Sequence, residues 1–222
     1  MIPLRDDNPA QRAPVMTRTL IVANVAVFLF EQSKGLALQE FLRDWGLVPG
    51  RLFASIADFT AMPRELLTVF TSLFLHGGWL HLVGNMWYLW IFGDNVEDTM
   101  GSWRFLGFYL SAGFVAALLH STLMQGSPIP TVGASGAIAA VLGAYALRFP
   151  RARVMTLIPI FFFFQVVAVP ALVVLGIWFV FQFISGTMSL GSGSGGVAWW
   201  AHIAGFAYGF VVMGIFARHR RA

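Results

Sequence analysis

Gly133-Ala134-Ser135-Gly136 opens an apolar segment that runs over residues 134–149. Two further apolar segments carry polar groups near their starts. One holds Ala201-His202-Ile203-Ala204-Gly205, and the other holds His81 and Asn85, one helical turn apart. Outward from the serine turn, apolar segments fall at about 17–33, 79–95, 103–124, 134–149, 168–186 and 197–217. Six spans is the reading that span length supports. The expected fold is therefore an all-α membrane protein, a six-helix transmembrane bundle over residues 17–217. A polar tail, 1–16, precedes it and a short basic tail, 218–222, follows.

Composition agrees. The 222 residues are 58% apolar and only 11% charged, where a soluble domain carries about a quarter charged residues. The absence of cysteine excludes disulfides and thiolate chemistry. The chain holds 14 basic residues, of which Lys34 is the only lysine. In a membrane protein such an excess reports orientation and anionic lipid rather than nucleic acid. Residues 1–18 are polar, and the first apolar run is followed by Glu31-Gln32-Ser33-Lys34 rather than a small-residue cleavage pattern. It reads as an uncleaved span.

Six spans put both termini on one side. That side collects ten arginines, against Lys34, Arg43, Arg51 and Arg64 on the other, so both termini are expected in the cytoplasm. Spans two, four and six then run in the same direction. His81, Ser135 and His202 fall in their first turns, with Asn85 one turn deeper, all in the outer half of the bilayer. Between spans one and two lies a long segment, 34–78, too irregular for another span and expected to lie in or dip into the interface. Residues 154–168, with Pro159 and Phe161–Phe164, are expected to form an interfacial or re-entrant loop.

A serine hydroxyl becomes a nucleophile when a base takes its proton, and His202 is the candidate base. After Asp98 the chain contains no Asp or Glu, so a serine–histidine dyad is the economical arrangement. Acyl transfer also needs donors for the oxyanion. His81 and Asn85 share a helix face, and the Ser135 amide sits at a helix N-terminus, where the dipole favours negative charge. Gly133 and Gly136 permit a tight turn that leaves the hydroxyl uncovered. Span six carries Ala201, Gly205 and Gly209 at four-residue spacing, and span four carries Gly136, Ala139, Ala140, Gly143 and Ala144; small-residue faces of this kind let helix backbones approach closely in lipid. Each feature alone has a plainer reading: a packing face, a hydrogen-bonded histidine, an anchor for the 34–78 segment. His120 is read as a structural residue or the lining of a water-filled cavity. Whether Trp178 and Gln182 face substrate or lipid is undecided at this level.

Three motifs in order, His76-Gly77-Gly78-Trp79-Leu80-His81-Leu82-Val83-Gly84-Asn85-Met86, Gly133-Ala134-Ser135-Gly136 and Ala201-His202-Ile203-Ala204-Gly205, resemble those of the rhomboid intramembrane serine proteases. The stretch Gly93 to Leu110 resembles bacterial members, and the likeness runs from about residue 17 to 215. The resemblance implies a Ser135–His202 dyad and an oxyanion or substrate-binding site formed by His81, Asn85, Gly133 and Ser135. It implies cleavage of single-span or polytopic membrane proteins near the outer ends of their spans, with no metal and no cofactor. Residues 34–78 would be a membrane-embedded first loop, and residues 178–197 a lateral gate. A bacterial inner membrane is the expected location. The alternative is a non-catalytic rhomboid-like factor that binds membrane proteins as a chaperone. A small transporter would be expected to show intramembrane charge pairs or repeated halves, and neither is present. Two positions depart from the family pattern. Ala139 stands where some members place an aromatic that stacks on the histidine, and no Trp-Arg pair occurs within 34–78.

Overall fold

The computed structural model describes residues 1–160, 163–192 and 198–219, without the side chains of residues 160, 189–192 and 218–219. Each of the six apolar segments forms one helix. These are α1 (Val15–Gln32), α5 (Trp79–Met100), α6 (Ser102–Leu123), α7 (Ser135–Arg148), α8 (Ala171–Ser192) and α9 (Trp199–His219). The expected basic tail, 218–222, lies outside the residues described in full. The chain is about 70% helical, an all-α membrane bundle with one small sheet.

Four helices, α1, α6, α8 and α9, are each long and apolar enough to cross a membrane. A fifth span forms if α5 is joined to the helix before it across a 78° bend. Helix α7 has 14 residues, about 21 Å at 1.5 Å per residue, short of the hydrocarbon thickness of about 30 Å. It does not have to meet lipid, because every residue from Gly136 to Ala146 is buried. Ser135, at the head of this buried helix, is itself partly exposed.

The α7–α9 contact is set by small residues. A Cβ at Gly205 would collide with the carbonyl of Gly136, one at Gly209 with that of Ala140, and one at Gly143 with that of Phe206. Ala139 faces the same seam, beside Gly205. Close backbone approach of this kind is how helices associate where lipid removes the hydrophobic drive.

Segment 34–78 folds into three short helices, α2 (Leu38–Trp45), α3 (Pro49–Ala54) and α4 (Met62–Thr71). Its tip is pinned to the segment before α7: Leu47 and Thr131 exchange backbone hydrogen bonds of 3.2 and 2.7 Å, and the Gly50 N–H donates to Ser127 O at 3.0 Å. Within it, Arg51 pairs with the buried Glu65 at 3.3 Å.

The stretch 154–168, expected as an interfacial or re-entrant loop, is instead part of a sheet among the described residues. Strands β2 (Arg153–Ile160) and β3 (Phe163–Pro170) form an antiparallel hairpin, and β2 also pairs with an N-terminal strand, β1 (Ile2–Asp6). The segment is rich in β-branched and aromatic residues, which suit a strand. Pairing its backbone satisfies groups that an irregular loop would leave bare in an apolar setting. Trp87 Nε1 donates to Pro3 O at 2.6 Å, the Tyr145 hydroxyl donates to Asp6 Oδ2 at 2.5 Å, and Asn95 Nδ2 donates to the same oxygen at 3.0 Å. The sheet is thereby tied to α5 and α7 and leads directly into α8. Asp6 is partly buried, and desolvation, only partly offset by the Tyr145 hydrogen bond, pushes its carboxyl up to about 6. Glu97 on α5 supplies the cap that α1 lacks, accepting the N–H groups of Met16 (2.9 Å) and Thr17 (2.7 Å). A carboxylate at a helix N-terminus is favourably placed.

Candidate active site

The turn ahead of α7 is held open by one glycine. Gly133 has φ +128, a conformation side-chain-bearing residues rarely adopt, and its N–H donates to Ser72 O at 2.9 Å. That N–H is spent on Ser72, so what Gly133 offers the site is room. A Cβ there would fall 2.7 Å from His81 Cε1 and Nε2. The His81 ring therefore lies directly across the serine turn.

Ser135, partly exposed, is the first residue of α7. Its hydroxyl donates to His202 Nε2 at 2.8 Å. The other ring nitrogen, Nδ1, donates to Gln182 Oε1 at 2.6 Å. His202 and Gln182 are both buried, at 8% and 5% exposure. Two indoles flank the imidazole. Trp178 lies at 6.0 Å between ring centroids, tilted by 35°, and Trp199 is edge-on at 6.2 Å. The support that Ala139 cannot provide from α7 thus comes from α8 and from the first residue of α9. Ala139 is small because it packs in the α7–α9 seam.

His81 Nδ1 accepts from the Gly77 N–H at 3.4 Å, which leaves Nε2–H on the side of the Gly133 turn. One turn along α5, Asn85 is buried and its Nδ2 has no hydrogen-bond partner among the described residues. A buried amide donor without a partner is uncommon, since such a group forfeits about 1–3 kcal/mol of hydration. The Ser135 N–H, at the head of α7, is likewise left without an intrahelical acceptor. The segment carrying His81 is anchored from below: both Glu31 carboxylate oxygens accept the His76 N–H at 3.2 Å, and the His76 ring stands edge-on to His81 at 5.1 Å.

His120 on α6 is buried, its Nδ1 has no partner, and it makes no hydrogen bond to the serine–histidine pair among the described residues. Of the span expected to form a gate, Trp178 and Gln182 turn inward to His202. Residues 193–197 of that stretch lie outside the described residues. Gln182 is the site residue that pattern reading left undecided. The available signal was its four-residue spacing from Trp178, which puts both on one helix face, together with the cost of an amide in an apolar span.

Fold and site define a polytopic helical membrane protein with a serine hydroxyl hydrogen-bonded to a buried imidazole. Residues 63–219 match the rhomboid domain, and the chain belongs to the rhomboid family. Among similar proteins, presenilin-associated rhomboid-like protein A, mitochondrial, of Danio rerio is 32% identical over 59% of this chain and 36% of its own length. Rhomboid protease GluP of Bacillus subtilis is 35% identical over 59% of this chain and 24% of its own. RHOMBOID-like protein 6, mitochondrial, of Arabidopsis thaliana is 29% identical over 58% and 50%. The chain thus spans a half or less of the length of these relatives. Relatives named for mitochondria overturn the expected bacterial inner membrane, and with it the cytoplasmic placement of the termini. Multi-pass insertion in a membrane stands.

Proposed function

We propose that this rhomboid-family chain is a serine endopeptidase that hydrolyses peptide bonds in or near the transmembrane segments of membrane proteins, with its catalytic domain over residues 17–217. The observation that carries the reading is the 2.8 Å hydrogen bond from Ser135 Oγ to a histidine whose other nitrogen is already engaged. In that state Nε2 presents its lone pair to the hydroxyl. As Oγ bonds to the scissile carbonyl carbon, its proton passes to Nε2, and the carbonyl π pair moves onto oxygen. The oxyanion is received by the Ser135 N–H, His81 Nε2–H and Asn85 Nδ2–H. On collapse the C–N bond breaks and the imidazolium returns its proton to the departing amine. Water, deprotonated by the same nitrogen, then adds to the acyl carbon; the C–Oγ bond breaks, the acid product leaves, and the imidazolium returns its proton to Ser135 Oγ. Stabilisation of the developing charge is the largest contribution, about 3–4 kcal/mol for a donor of this kind.

The relative named a protease, GluP, supports the reading. The test is a fluorophosphonate probe applied to folded protein in detergent or liposomes. Labelling that vanishes in both Ser135→Ala and His202→Ala is the expected result. Folded wild-type protein that takes no label favours the non-catalytic, membrane-protein-binding alternative.

A further inference from the structure

Gln182 occupies an unusual place. It lies on α8 between Phe181 and Phe183, which are 60% and 49% exposed to the surroundings, yet it is itself buried against His202. An amide in an apolar span is expensive unless its polar atoms are satisfied. Here the oxygen is satisfied by one group, the His202 Nδ1–H.

That contact has a chemical consequence. A carbonyl oxygen can only accept, so the proton must reside on Nδ1 and the lone pair on Nε2, facing Ser135. Were the amide turned over, its NH₂ would donate to Nδ1, the ring proton would move to Nε2, and the imidazole could no longer take the serine proton. Gln182 therefore does what a carboxylate does in a triad, with a neutral group, in a chain that has no carboxylate after Asp98.

The location matters as much. α8 packs on α9 and more lightly on α7, and among the described residues it has no packed interface with α5. A shift of about 1 Å in α8 takes a 2.6 Å hydrogen bond beyond effective range. We propose that Gln182 is a positioning residue that fixes the orientation and tautomer of His202, so that the Ser135–His202 pair is competent only while α8 is docked on α9. This rests on the protease reading above.

The test compares Gln182→Leu, Gln182→Met and Gln182→Glu in full-length reconstituted protein. We expect the leucine and methionine variants to lose kcat by about 10–100-fold, the range typical of groups that orient a site histidine, with KM within about twofold. Gln182→Glu, which keeps an acceptor oxygen, restores most of kcat. A leucine variant with wild-type kcat, or a loss that glutamate does not rescue, overturns the proposal. The nitrogen-15 spectrum of histidine-labelled protein supplies a readout that does not depend on turnover. His202 should carry its proton on Nδ1 in the wild type and lose that preference in Gln182→Leu. An unchanged tautomer in the folded variant also overturns the proposal. Wild-type protein that shows the Nδ1–H tautomer but neither cleaves nor labels contradicts the protease reading and leaves the positioning contact standing.

Discussion

Helices α7 and α8 meet the same partner, α9, in opposite ways. The α7–α9 seam is built from Gly136, Ala139, Ala140, Gly143, Gly205 and Gly209, with backbones so close that no Cβ fits at the three positions Gly143, Gly205 and Gly209. The α8–α9 contact is made by large side chains, Trp178 and Phe179 against Phe206 and Phe181 edge-on to Trp199, while Val180 and Phe183 face outward. The nucleophile lies on the tight seam and the group that orients its base lies on the loose helix. A backbone seam has one register because interpenetrating carbonyls leave no alternative. A side-chain contact can re-form after a small shift. The site therefore joins a fixed half to an adjustable half through one imidazole.

The largest effect is expected in the seam. Gly209→Val drives a side chain into the Ala140 carbonyl, where no flexible group can yield. The expected loss is about 3 kcal/mol or more, seen as collapse of the thermal unfolding transition in detergent together with loss of activity. A variant that unfolds like wild type would mean the seam is not rigid. Next is Asn85→Ala on α5, which removes a donor that has no hydrogen-bond partner among the described residues. Here kcat should fall about 100–1,000-fold with unfolding unchanged, and a parallel loss of stability would assign Asn85 to packing instead. On the adjustable half, Trp178→Ala should cost about tenfold in kcat by loosening the His202 ring. Phe183→Leu, on the outward face, should change stability by no more than about 0.5 kcal/mol and leave kcat alone.

A further effect, read in pH dependence rather than in activity, belongs to the link between the two halves. Asp6 fastens the sheet that leads into α8 to Tyr145 of α7 and Asn95 of α5. Its folded-state pKa, about 6, lies above the ordinary aspartate value of 3.8. The folded state therefore binds the proton more tightly than the unfolded chain. Asp6 contributes stability that is fully present below about pH 4 and is lost as pH rises through about 6. Unfolding measured across pH 4–7 should show a decline with rising pH that Asp6→Asn flattens. An unaltered profile in the variant would remove Asp6 from the account.

Most of the helical frame was legible from hydropathy alone, and each of the six apolar segments starts within three residues of its helix. The small-residue pattern on 136–143 and 201–209 likewise indicated which helices would touch. What escaped has physical reasons. The 153–170 hairpin is apolar on both faces, so it lacks the polar–apolar alternation that distinguishes a strand from an irregular apolar run. Its partner strand comes from residues 2–6, a pairing with no local signal. Whether Gln182 faces substrate or lipid is open from the sequence, because the direction an amide faces on a helix depends on packing that periodicity does not report. The Ala139 position shows the converse. Judged against the family pattern it is a missing aromatic, while in the folded chain it is a seam residue whose stacking role passes to Trp178 and Trp199.

The central claim is that Ser135, activated by His202, cuts membrane-spanning polypeptide. The most direct measurement is cleavage of a purified single-span substrate co-reconstituted in liposomes with wild-type protein or with Ser135→Ala, with product termini mapped by mass spectrometry. The account predicts discrete cleavage in or near the span by wild type and none by the variant. Equal cleavage by both proteins would contradict it.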